Sequence, residues 1–388
     1  MSAPDPVLLD GLRTPFGRYR RALSTVASVD LAAHVVRALL ERHPFLARPD
    51  ATLHAQVLQG GQGQNPGRQA ADRGGVDRCS PAVTLNNVCL GGVSAVWDAC
   101  RRVTLGEGDT YLVGGADSMS RAVHAGLVRQ GPSMASATLV DTLSTDGLWC
   151  ALDDLSMGVL SDRVNAELGI GRDVQDHLAA LSHERARAAR DEGRLAEEIV
   201  ALEAAGRVVE HDEGIRDATT PESLAALAPA FDPAGTITAG NASQMTDGAS
   251  YGAVVSADVA EREGVRPLAR IRGYAEVAGP DASLHLKPAV AVARVLERAG
   301  LTVADVDLLE INEAFAGVVE ASRRELSVPM DVVNVNGGAI ALGHPLGGTG
   351  FRLVLTAARE LRRRGGRYAV ASLCGGGGQG AALLLEAA

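Results

Sequence analysis

Two periods alternate along the chain. Short continuous apolar runs, the pattern of strands buried on both faces, are separated by stretches whose apolar residues return every three or four positions, as on a helix. Val7–Leu9 reads as a buried strand, and residues 29–41 as a helix with the stripe Leu31, Val35, Leu39. Ala82–Leu85 predicts a strand, residues 92–105 a helix with Val96, Cys100 and Val103 on one face, and Thr110–Val113 a further strand. Toward the C-terminus the same alternation predicts strands at Val306–Ile311, Val332–Val335 and Tyr368–Ser372, with a helix from about 347 to 364 before the last.

The two ends share a grammar. TLNNVCLGG and VNVNGGAIALG both run from strand through asparagine to glycines ahead of a long helix, and GEGDTYLVGGA and RGGRYAVASLC both pass from a Gly-rich turn into an apolar strand. This predicts an α/β protein built on a duplicated βαβ-type unit. Residues 118–245 differ, with polar loops and charged helices. Residues 174–190 form an amphipathic helix entered after Gly171, 199–202 are strand-like, and GIRDATTPESL reads as a surface loop. Such an insertion supplies either a substrate-binding element over a rigid core or a cover for a sheet edge. The expected division is a first core at 1–117 continued at 246–266, an insertion at 118–245, and a second core at 267–388.

Composition narrows the classes. A chain of 388 residues is too long for one small core. Its formal charge is 37 − 47 = −10, which argues against nucleic acid as a partner and leaves any anion site local. Lys287 is the only lysine, so nearly all positive charge is arginine. No uncharged run of 18 apolar residues predicts a membrane span, and the N-terminus lacks the pattern of a secretory signal. Five cysteines without CxxC spacing fit neither a disulfide framework nor a metal site, so a reducing cytoplasm is expected. The 45 glycines suit tight strand–helix turns.

Candidate chemistry sits at those turns. Cys89, between strand and helix in LNNVCLGGVSAV, feels the positive end of a helix, which favours a thiolate; alone, such a cysteine is more often an inert core residue. His344, in GGAIALGHPLGGTG, lies among glycines that offer little packing to explain it, and imidazole is the usual activator of a cysteine. Cys374 ends an apolar strand and opens into GGGGQG, which lacks the following βαβ unit a dinucleotide fingerprint needs. It reads as a turn aiming N–H groups at an oxyanion. Asn312 and Glu313 interrupt an apolar segment in INEAFAGVV, either as a satisfied structural network or with Asn312 orienting water or substrate.

Together, NVCLGG, GNASQMTDGA, NEAFA, GGAIALGHPLGGTG and CGGGGQGAA, with GLRTPFG, GQGQNPGRQAA and GGADSMS before them, resemble the thiolase family over essentially the whole chain. The resemblance implies the five-layered αβαβα thiolase fold, with two duplicated core domains and an inserted loop domain. It implies ping-pong acyl transfer through an acyl-Cys89 intermediate, either condensing two acetyl-CoA to acetoacetyl-CoA or cleaving short 3-ketoacyl-CoA with CoA. His344 would activate Cys89, Cys374 would exchange the second proton, and Asn312 would hold a water that forms one oxyanion hole with His344. The backbone N–H groups of Cys89 and Gly376 would form the other. Arg216, Phe231 and Ser243 match CoA contacts. CoA thioesters are then substrates, with no bound cofactor or metal, and the family implies a homo-oligomer, a dimer or tetramer, with a loop near 124–143 available for tetramer contacts.

Two departures touch the substrate site. Ser156-Met157-Gly158 stands where many thiolases carry His-Met-Gly, so Ser156 and Met157 are expected at the acyl and pantetheine site, with vacated space beside Ser156. Leu284-His285-Leu286-Lys287-Pro288 stands where many carry Met-Gly-Thr-Gly-Pro. The competing readings are a ketosynthase-like condensing enzyme, which would need a second histidine, and a non-catalytic CoA- or lipid-binding relative.

Overall fold

The structure is a computed structural model that describes residues 4–130 and 137–388. Nine strands form the main path of one sheet: β1 (Pro6–Arg13), β2 (Ala51–Ala55), β3 (Ala82–Leu85), β4 (Thr110–Ser118), β5 (Thr246–Ser256), β6 (Ala269–Ala278), β7 (Leu308–Ile311), β8 (Tyr368–Gly375) and β9 (Gln379–Ala387). Their order is β7-β8-β9-β6-β1-β5-β4-β2-β3, and the short strand Gly17–Arg18 adds to β5. Read outward from the β1–β6 seam, each half repeats one pattern: two antiparallel neighbours, then parallel ones. The duplication expected from the sequence is therefore present in the topology.

Helices complete the layers. α1 (Ser28–Arg42) covers the outer face of the N-terminal half, where its Leu31, Val35 and Leu39 join Leu9, Leu112 and Val255 in one apolar cluster. α2 (Gly91–Leu105) and α7 (Leu346–Arg364) pack together between the inward faces of the two half-sheets. α5 (Lys287–Ala299) covers the outer face of the C-terminal half. The result is helix, sheet, paired helices, sheet, helix. Between β4 and β5 the chain supplies α3 (Met157–Glu167) and α4 (Arg172–Asp191), and α6 (Ala316–Leu326) follows β7.

Three expectations need correction. Val332–Val335 is not a strand: only Val333 bridges β7, opposite Leu309. Asn334 has φ +48°, and its side chain accepts from Ile311 N (2.7 Å) and donates to Ile311 O (2.8 Å), replacing the ladder with a local side-chain bond. This segment stands where β3 stands in the other half. Ile199–Leu202 contributes one bridge, to Arg13, and a short strand starts only at Leu202. The GIRDATTPESL loop ends in a helical turn at Pro221–Ala225, capped reciprocally by Thr220 and Ser223.

Candidate active site

Glycines decide where the two central helices meet. A Cβ on Gly92 would lie 2.5 Å from Phe351 N, and one on Gly350 would lie 2.6 Å from Val93 N. The N-terminal turns of α2 and α7 thus touch backbone to backbone, and the residues just before them, Cys89 and His344, are carried to one point. Cys89 follows Val88, a β-branched residue held at φ +47°, a strained conformation of the kind found at functional turns. Asn87 anchors that turn by donating to Ser94 Oγ (3.0 Å) and Glu276 Oε1 (2.8 Å).

His344 Nε2 lies 3.3 Å from Cys89 Sγ. On its other side, Nδ1 lies 2.6 Å from Thr349 Oγ1, whose own proton is donated to Pro345 O at 2.9 Å. A hydroxyl has one proton to give, so Thr349 accepts from Nδ1–H and leaves the Nε2 lone pair facing the thiol. Asn312 Nδ2 lies 3.4 Å from the same Nε2, while its Oδ1 is buried without a protein partner among the described residues. The sequence offered no reading of Thr349. A hydroxyl residue one turn into the helix that follows His-Pro is the signal it left.

The pocket around this pair is lined by Cys374, Gly375 and Gly376, by Val88, Ser243, Ala314 and Phe315, and by Leu148, Met157, Leu284 and Leu346. Cys374 is buried among Ile237, Leu284, Phe315 and Val318. Gly376 begins a turn in which Gly377 and Gly378 take φ +79° and +70°.

Burial pushes the Cys89 thiol up to about 12, against the backbone N–H groups of Cys89 and Gly376, which favour the thiolate. Burial, aided by the Arg352 charge, lowers His344 to about 3. Burial and then the neighbouring Cys89 raise Cys374 as well. Burial thus opposes the charged form of both groups, while the N–H groups at the start of α2 and at Gly376 favour the thiolate, the direction expected from the helix position of Cys89. Asp117, also unread in the sequence, is fully buried near Cys89 and accepts from Val57 N, Leu58 N and Gly347 N at 3.1, 2.9 and 2.7 Å. It ties the loop after β2 to the first turn of α7.

The remaining expected residues divide. Ser243 and Met157 line the pocket. Phe231 lies at its border, edge-on to Phe315 at 6.0 Å and over Gly158, where a Cβ would meet its ring at 2.2 Å. Arg216 lines a separate cavity with His177, Arg187 and Thr220, between α4 and the loop after it. Ser156 is outside the pocket lining: its Oγ accepts from Val159 N at 3.2 Å and caps α3. Nor does His285 fill the pocket, since it is buried against Asn165 Oδ1 at 2.8 Å. Among the described residues no group of three or more His, Cys, Asp or Glu is placed to hold a metal ion. No described helix is long and apolar enough to cross a membrane.

Residues 7–258 match the family description "Thiolase, N-terminal domain" and residues 265–387 match "Thiolase, C-terminal domain". A probable acetyl-CoA acetyltransferase of Mycolicibacterium smegmatis is 45% identical over 387 residues, covering 98% of this chain and 100% of the relative. The crystal structure of the Bacillus anthracis acetyl-CoA acetyltransferase superposes with a TM-score of 0.95 at 33% identity, covering 100% of both chains. Human mitochondrial 3-ketoacyl-CoA thiolase in complex with CoA gives a TM-score of 0.95 at 35% identity, over 100% of this chain and 99% of that one. With its duplicated five-layered fold and a cysteine, a histidine and a second cysteine brought into one pocket, the chain belongs to the thiolase family of acyltransferases.

Proposed function

We propose that Cys89 is the acyl-accepting nucleophile of a ping-pong transfer between CoA thioesters, and that His344 and Cys374 move the protons. The observation that carries this reading is the His344 Nε2 lone pair, held 3.3 Å from Cys89 Sγ by the Thr349 bond on the far nitrogen. In the cleavage direction the thiol gives its proton to His344 as sulfur attacks the 3-keto carbon. The bond between C2 and C3 then breaks, its electron pair passes to the acetyl-CoA enolate, and Cys374 protonates that carbon. In the second half, Cys374 takes the proton of the incoming CoA thiol, the CoA sulfur attacks acyl-Cys89, and the Cys89 sulfur recovers its proton from His344. Condensation runs the same steps in reverse, with Cys374 removing the acetyl methyl proton.

Both oxygens that gain charge need donors in place beforehand, each worth ~10²–10³-fold in rate. We assign one set to the N–H groups of Cys89 and Gly376, supported by their action on the sulfur. The other is His344, whose Nε2 is a donor once it holds the Cys89 proton, with a water on Asn312 Oδ1, an acceptor otherwise unpartnered among the described residues. CoA as substrate is supported by the CoA complex of the human relative, with Ser243, Met157 and Phe231 near the pantetheine path and Arg216 further out. Short substrates are supported by the acetyltransferase names of the relatives. The steps use only side chains and substrates, without a bound cofactor.

The ketosynthase-like alternative lacks its second histidine in this pocket, and the aligned Cys89–His344 pair disfavours a non-catalytic relative. Assembly as a homo-oligomer is supported by the edge position of β3 with Val83 exposed, and by exposed Leu127, Val128, Leu139 and Val140. The centre of the 124–143 loop, residues 131–136, lies outside the described residues. Five free cysteines fit a cytoplasmic location.

The test is mass spectrometry after brief exposure to acetoacetyl-CoA without CoA. An acyl group on the Cys89 peptide, absent from Cys89→Ala, is expected. The adduct on Cys374 with Cys89→Ala still labelled would overturn the assignment.

A further inference from the structure

The chain's only lysine is placed where a lysine is unfavourable. Lys287 is the first residue of α5, at the positive end of the helix, and its side chain is 7% exposed. What compensates it is a loop closed on itself. Lys287 Nζ donates to Gly279 O and to Asp281 Oδ1, each at 2.9 Å. Ser283 donates to the same carboxylate oxygen through N–H (3.0 Å) and Oγ (2.5 Å). These bonds, Ser283 first and Lys287 next, hold Asp281 down to about 2.

The clamped loop is a support for the active site. Gly279 N–H donates to Gly378 O at 3.0 Å. A Cβ on Gly378 would lie 2.0 Å from Asp281 O and 2.6 Å from Ala282 Cα, and one on Gly380 would lie 2.5 Å from Lys287 O. The glycine turn that presents Gly376 and follows Cys374 therefore rests directly on the backbone of residues 279–287. The same loop sends Leu284 into the pocket wall and packs Ala282 with Cys150, Leu160 and Met157.

We infer that Lys287 is a positioning residue that sets acyl-chain selectivity, by fixing the backbone on which the Gly376–Gly380 turn rests and the reach of Leu284 into the pocket. This rests on the reading of the Cys89 pocket as the thiolysis site. Asp281 is 63% exposed, so its charge is screened and the bond to the Gly279 carbonyl is the firmer half of the clamp. Loss of the lysine frees the loop; loss of the Asp281 charge alone leaves an acceptor in place.

The experiment measures kcat and KM for thiolysis of 3-ketoacyl-CoAs of four, six and eight carbons by wild type, Lys287→Met, Asp281→Asn and Leu284→Ala. In Lys287→Met the six-to-four-carbon ratio of kcat/KM is expected to rise by about 10-fold, the low end of what the fit of one methylene is worth. Asp281→Asn should stay within about 2-fold of wild type, since its amide oxygen still accepts. Leu284→Ala should raise the ratio directly, and adding Lys287→Met to it should raise it little further, because both changes act on one wall. A folded Lys287→Met enzyme with an unchanged ratio overturns the inference, whatever happens to its kcat. Should that variant fail to fold, the same ratio in Lys287→Gln decides. Wild type that cleaves none of the three substrates would instead overturn the underlying reading of the site, and the inference with it.

Discussion

His344 Nδ1 sits 2.6 Å from the hydroxyl of Thr349, and that contact chooses the ring nitrogen that faces Cys89. Because the Thr349 proton is committed to Pro345 O, the imidazole is locked as the Nδ1–H tautomer. Thr349→Val keeps the shape and removes the acceptor. Acylation by acetoacetyl-CoA in single-turnover mode should slow on the order of 10-fold or more, within the ~10²–10⁴-fold that a positioned base supplies. Thr349→Ser should restore it. Equal rates for Thr349→Val and wild type would show that the tautomer is held by something else.

The two cysteines are expected to separate kinetically. Cys374→Ser should still form the Cys89 adduct, yet turnover should fall by about 10²-fold or more, because the group that exchanges protons with carbon has been replaced by a far weaker acid. Steady-state turnover near the wild-type value would remove Cys374 from the proton path.

Burial lifts the Cys89 thiol to about 12 and drops His344 to about 3. The sign is direct: below its raised pKa the thiol stays protonated, and above its lowered pKa the imidazole stays neutral. Thiolate ultraviolet absorbance, taken as the difference between wild type and Cys89→Ser, should show no step between about pH 6 and pH 9, the range spanning an ordinary thiol. A step below about pH 8 would mean a preformed thiolate–imidazolium pair.

Ser156 caps α3 and lies outside the pocket lining. Ser156→Ala should therefore destabilise the fold by about 1 kcal/mol, the usual worth of such a cap, and leave the six-to-four-carbon ratio of kcat/KM where it was. Thermal denaturation and the same thiolysis series measure both. A changed ratio with unchanged stability would return Ser156 to the acyl pocket.

The extent to which sequence forecast this structure depended on whether one period was enough. β3 and α2 follow from their own residues, since a run of four apolar-rich positions and a stripe of Val96, Cys100 and Val103 each have one reading. Val332–Val335 had the same composition and failed, because Asn334 satisfies Ile311 from its side chain and turns the backbone left-handed. Periodicity does not register such a competition. Cys89, His344 and Cys374 were legible from their motifs. That they act together followed only from the family resemblance; its physical cause, Gly92 and Gly350 touching across some 258 positions of sequence (350 − 92), is set by the fold. Thr349 and Asp117 were missed for a related reason: each acts by receiving a hydrogen bond from a group whose position only the fold sets.

The place of β1 at the centre of the sheet bears on how the chain is made. This strand is translated more than 200 residues before its neighbours, since β5 begins at residue 246 and β6 at residue 269. Until those later residues have emerged from the ribosome, neither edge of this apolar segment has its native partner. Pairings this distant in sequence fold slowly and expose aggregation-prone surface meanwhile. β5 closes one edge of this strand first, and the other edge stays open until β6 has been made.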